Sequence, residues 1–107
     1  MEGIESKGSD TSRDVKNDRV VIVPQSRFDF GTHKQFRTCY KDNKKVSQQY
    51  VVDMREVVYM DSSAMGMLLL LREHAIANKG GVEIVNCKPE VKKILAIANF
   101  DRLFNIR

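Results

Sequence analysis

The residues best placed to do chemistry are Asp61, Ser62 and Ser63, within the run Met60-Asp61-Ser62-Ser63-Ala64-Met65-Gly66. A hydrophobic, strand-like stretch precedes them and an apolar helical pattern follows. The two hydroxyls therefore stand where a strand gives way to a helix N-terminus. Backbone N–H groups are unpaired there, and the helix dipole favours negative charge. A phosphate added to Ser62 would sit in that field, on a surface another protein can read. From spacing alone, the plainer role for Ser62 is an N-cap that merely starts the helix.

Other reactive side chains carry weaker signals. His33 and His74 lie far apart and have no ligand spacing, so they read as surface histidines and no metal is expected. Cys39 and Cys87 form no CxxC or Cys/His pattern and read as reduced thiols. Ser62 lies in no G-x-S-x-G elbow and has no ordered triad, so an enzyme is not expected. Gly80-Gly81 reads as a helix stop rather than a phosphate cradle, and no cofactor is expected.

The elements that must position the serines follow from periodicity. Residues 1–18 lack a hydrophobic pattern and read as a flexible tail with room for a short edge strand. Arg19 to Pro24 is a β-branched strand stopped by proline. Phe28-Asp29-Phe30 reads as a second strand with both phenylalanines on one face. Thr32 is a plausible N-cap for a helix carrying Phe36, Cys39 and Tyr40 on one side. Tyr50 to Met54 is a central strand, and Val57 to Met60 runs extended to the serine pair. Ser63 to Asn78 is the strongest helix, with Ala64, Met67, Leu68, Leu71 and Ala75 as its apolar stripe. Gly80 suits the left-handed position after it. Val82 to Cys87 is a strand, Pro89 opens a helix whose core face is Val91, Ile94, Leu95 and Ala98, and Leu103 to Ile106 is a short last strand. Strands alternating with helices imply an α/β domain: a mixed, mostly parallel sheet of four to five strands with three main helices packed on it.

Composition narrows the class. With 107 residues, 42% hydrophobic and 30% charged, the chain fits one globular domain, taken here as residues 19–107. The longest apolar run, Met67 to Leu71, is far below the ~20 residues of a membrane span. The polar N-terminus is no secretory signal, so a cytoplasmic location is expected. The net charge of +4 hints only weakly at nucleic acid. Lys34, Arg37, Lys41, Lys44 and Lys45 read as a solvated face, and no RRM, KH or helix-turn-helix signature is present. Neither nucleic acid nor membrane is expected as a partner.

In order and spacing, the chain resembles the STAS domains of bacterial anti-sigma factor antagonists. The segment Asp61-Ser62-Ser63-Ala64-Met65-Gly66 is similar to that family's D-S-[ST]-[GA]-[LM]-G signature. Supporting matches are the strand ending at Asp53, Gly80-Gly81 before a strand, Pro89-Glu90-Val91 opening the last helix, and the terminal run Ile97 to Phe104. Ala64 stands where glycine is frequent, and the surroundings of Asp29 depart from the commonest pattern.

The resemblance implies a phosphorylation-switched binding module. Ser62 would be phosphorylated by a partner serine kinase, with Ser63 the second choice of acceptor, and a PP2C-type phosphatase would reverse it. The unphosphorylated form would sequester an anti-sigma factor or switch kinase, and phosphate would abolish that capture. Asp29, Asp61, Ser63 and Met65 are the implied partner-binding residues. Asp61 is placed to orient the acceptor hydroxyl, to hold the kinase's Mg²⁺, or simply to cap the helix. Met65, Leu69, Arg72 and Ile76 form a second helical row, divided between core and interface. The alternative within this class is a regulatory subunit binding another signalling protein, in a kinase/phosphatase or diguanylate cyclase pathway, without a sigma factor.

Overall fold

Valine and isoleucine runs build the centre of the molecule. The computed structural model describes residues 11–16 and 18–107; the remainder of the expected tail lies outside the described residues. Strands β1 (Ser12–Lys16), β2 (Arg19–Val23), β4 (Gln49–Asp53), β6 (Gly81–Val85) and β7 (Asn105–Ile106) form a sheet in the order β1-β2-β4-β6-β7. β1 runs antiparallel to β2, with Ser12 opposite Val23, and the other neighbours are parallel. The short strands β3 (Arg27–Phe28) and β5 (Tyr59–Met60) pair separately, also parallel.

Helices α1 (His33–Thr38), α2 (Ser62–Ala77) and α3 (Pro89–Ile97) fill the crossovers. The chain steps across the sheet in one direction, so right-handed connections place all three helices on one face. Burial agrees. Val20, Ile22, Tyr50, Val52 and Ile84 are buried beneath the helices, whereas the intervening Val21, Val51 and Val85 are only half-buried. The stripe Ala64, Met67, Leu68, Leu71 and Ala75 seats α2 over the sheet. Leu68 and Leu71 have no exposed surface, and truncating either to alanine would cost about 2–5 kcal/mol.

Several local expectations are corrected. Phe28 is buried, but Phe30 is 63% exposed and begins a 3-10 turn over Phe30–Thr32. The Asp29 carboxylate accepts the Gly31 N–H at 3.0 Å, which turns the chain out of extended structure and sends Phe30 outward. Thr32 occupies the N-cap position of α1, yet its hydroxyl donates to the Asp29 carbonyl rather than capping. The left-handed residue after α2 is Lys79, with φ 63°, not Gly80. Gly80 is required for a different reason: a Cβ there would lie 1.9 Å from the Gln48 carbonyl oxygen. On α3, Val91 and Leu95 are buried while Ile94 and Ala98 are exposed. The last strand begins only at Asn105 because Phe100–Arg102 forms a second 3-10 turn, with the Phe100 and Phe104 rings stacked at 5.5 Å.

Candidate functional site

The β3–β5 ladder assembles the site. Its register pairs Arg27 with Tyr59 and Phe28 with Met60. Phe28 and Met60 are both buried and anchor the two strand ends in the core. The residue that follows each strand is an aspartate, Asp29 after β3 and Asp61 after β5. Parallel strands lie about 4.8 Å apart, so the ladder delivers two acids, separated by 32 positions in the chain, to the same end of the two strands. Each acid then performs the same local task. Asp29 caps the 3-10 turn, and Asp61, in extended conformation, caps α2 by accepting the Ala64 N–H at 2.9 Å.

That division of labour decides the fate of the serines. Asp61 holds the N-cap, so Ser62 is the first helical residue and is exposed. Among the described residues, no hydrogen bond involves the Ser62 side chain. The plain N-cap role for Ser62 is therefore overturned, and of the three roles open to Asp61 capping is the one seen. Ser63 is half-buried, and the following Ala64 is fully buried as the first core contact of the helix. Met65 is half-buried and packs against the core, which leaves only part of its side chain available at the surface. Of the second helical row, Leu69 also packs against the core, while Ile76 is exposed.

Two residues around the site carry no readable sequence signal. Arg27 ion-pairs with Asp29 at 3.4 Å, and its guanidinium lies 4.5 Å from the centre of the Tyr59 ring. Such a cation–π contact depends on the ladder register, which local patterns do not specify. Phe30 is the other: its ring stacks on His33 at 4.5 Å, and the His33 Nδ1 lies 2.8 Å from the Phe30 carbonyl oxygen. Beside Ser63 a groove of about 500 Å³ opens between Phe30 to Tyr40 on one side and Ser63 to Glu73 of α2 on the other.

The remaining candidates sit in structural roles. His74 is half-buried rather than a surface residue: its Nε2 reaches the Asn43 carbonyl at 2.7 Å, and its ring meets Tyr40 at 5.0 Å. Among the described residues, no group of three His, Cys, Asp or Glu side chains is arranged to hold a metal. Cys39 is buried and its thiol is pushed up to about 11 by desolvation, against which the Arg13 charge acts. Cys87 is also raised by burial, and both thiols are free. No helix among the described residues is long and apolar enough to cross a membrane.

Comparison with known proteins places this geometry. A STAS-domain containing protein of Pseudomonas aeruginosa strain UCBPP-PA14 is 54% identical over 87 residues, which is 81% of this chain and 86% of that protein. Among solved structures, the anti-sigma factor antagonist SpoIIAA in its unphosphorylated form superposes with a TM-score of 0.77 at 20% identity, covering 91% of this chain and 87% of that one. The Bacillus cell fate determinant SpoIIAA in the phosphorylated form gives 0.70 at 19% identity, covering 91% and 90%. Residues 11–107 match the STAS domain family, from β1 to the C-terminal residue. By sequence and by architecture, this chain belongs to the STAS domain family.

Proposed function

We propose that this protein is an anti-sigma factor antagonist whose capture of an anti-sigma factor or switch kinase is turned off by phosphorylation of Ser62. One observation carries the reading: Asp61 caps α2, which leaves the adjacent Ser62 hydroxyl exposed and without a structural task. A kinase can reach it, and its modification leaves the fold's own hydrogen bonds intact. The likeness to SpoIIAA, a protein solved in both unphosphorylated and phosphorylated forms, supports the same reading.

The switch needs no rearrangement. Phosphorylation adds about −1.5 to −2 charge, beside Asp61. In water the helix N-terminus and solvent accommodate that charge. Beneath a docked partner the phosphate would be desolvated next to the Asp61 carboxylate, and an uncompensated buried charge costs several kcal/mol. A loss of ~4 kcal/mol is about a thousandfold in affinity. Asp29, Asp61, Ser63 and the exposed part of Met65 make up the surface the partner covers. A PP2C-type phosphatase, acting with the kinase in the cytoplasm, restores binding by removing the phosphate.

The test is a paired pull-down, read by mass spectrometry, with wild type and Ser62→Asp as baits. Proteins captured by wild type and lost with Ser62→Asp, at unchanged far-UV circular dichroism, are the expected result. Equal capture by both would end the switch reading. Phosphate incorporation should cease in Ser62→Ala, and persistent labelling would move the acceptor to Ser63 or elsewhere.

A further inference from the structure

We infer that the groove beside Ser63 receives an acidic amphipathic helix of about ten residues from the protein partner. This deepens the reading of the chain as a partner-binding module and rests on it. The groove runs along α2 from Ser63 to Glu73, a length of about 15 Å at the rise of an α-helix. Two large apolar side chains stand open on its walls, Phe30 at 63% and Leu70 at 56% exposure. Phe30 is not loose: the His33 ring stacks against it at 4.5 Å. A preorganised aromatic beside an apolar trough is the usual form of an anchoring pocket.

Backbone chemistry selects a helix as the occupant. Both walls are largely helical, and their main-chain groups are already paired within the elements. A strand would find no sheet edge to extend, whereas a helix needs only side-chain pockets at i, i+3 or i+4, and i+7.

Charge selects its sign. From Phe30 to Lys41 the chain carries His33, Lys34, Arg37 and Lys41 and not one acid. Neither Lys34 nor Arg37 forms a salt bridge among the described residues. Glu73 is the one acidic residue lining the groove, at the end far from Ser63. Of the four basic residues, His33 and Arg37 line the groove itself, and Lys34 lies one turn from Arg37 on α1. A helix with acids facing α1 therefore meets Arg37, which has no ion-pair partner among the described residues. The near end of the groove is continuous with Ser62, so one partner can cover both.

Gly66 supplies the decisive variant. It lines the groove, and a Cβ built there meets nothing within 4 Å. Gly66→Leu therefore fills the trough without disturbing the core. The experiment selects binders from a helical peptide library, displayed on phage, against the full chain. Selected peptides should be net acidic, with apolar residues at i, i+3 or i+4, and i+7. Their affinity should fall about tenfold or more with Gly66→Leu and with Leu70→Glu, and should fall with Arg37→Glu and with added salt. Circular dichroism and thermal melting confirm that each variant is folded. An absence of helical binders, a net basic consensus, or binding indifferent to both Gly66→Leu and Leu70→Glu overturns the inference. The two readings fail separately. Peptides blocked by Gly66→Leu but unaffected by Ser62→Asp uphold the groove and count against the phosphate switch. Partner capture lost with Ser62→Asp but kept with Gly66→Leu and Leu70→Glu upholds the switch and removes the groove.

Discussion

At the scale of single residues, adjacent positions at the start of α2 do separate work. Asp61 belongs to the fold and Ser62 to the surface. The difference is measurable without any partner. Asp61→Ala removes the acceptor of the Ala64 N–H and should lower stability by about 1 kcal/mol, the typical loss of an N-cap. Ser62→Ala should change it by no more than about 0.5 kcal/mol, as for an ordinary surface position. Urea denaturation of both variants checks the pair. A Ser62→Ala loss as large as that of Asp61→Ala would return the serine to a capping role. Sequence spacing could not separate the two, because aspartate and serine are nearly equal N-caps. The outcome depended on which residue the β5 strand left in extended conformation.

At the scale of elements, the junction between α2 and β6 shows how closely the helix return approaches the sheet. Lys79 takes the left-handed conformation, at some cost for a residue with a side chain. Gly80 then passes against the Gln48 backbone just before β4. Gly80→Ala forces the two segments apart and should cost about 1–3 kcal/mol, as overpacking does. The falling urea midpoint should come with an unchanged slope. The same substitution at Gly66 would meet open space and remove a flexible residue from a helix interior, which separates crowding from helix propensity. A helix stop was legible at Gly80-Gly81. Which glycine faces a backbone carbonyl was not, since that carbonyl belongs to residue 48 and arrives only with the assembled sheet.

At the scale of the molecule, burial of neutral titratable groups gives stability a pH dependence. Cys39 is raised from 9.0 to about 11, Cys87 is raised by the same cause, and Tyr40 and Tyr50 are raised chiefly by desolvation. A thiol whose folded value lies above its unfolded value holds its proton longer in the native state. The folded protein then binds more protons between about pH 9 and 11, and stability falls as pH rises through that window. Cys39 alone should account for a loss on the order of 2 kcal/mol by pH 11. Urea midpoints at pH 8, 9.5 and 10.5 should decline for wild type and decline less for Cys39→Ala. Identical slopes for the two proteins would remove Cys39 from the account. Iodoacetamide at pH 8 should label the half-buried Cys87 before the buried Cys39.

The sequence by itself determined the alternation of strands and helices, the apolar stripe of α2 and the identity of its starting segment. Those features are local: side-chain period, β-branching and turn residues act within a few positions of one another, and a chain reads them before it folds. Tertiary structure alone decided that the strands leading into Asp29 and Asp61 pair, that Arg27 covers Tyr59, and that a groove opens next to the serines. Each of these joins segments about thirty or more residues apart, whereas Phe30 turns outward through a local contact, the Asp29 carboxylate on the Gly31 N–H. Their distances are set by strand register and helix packing, which only the assembled core specifies.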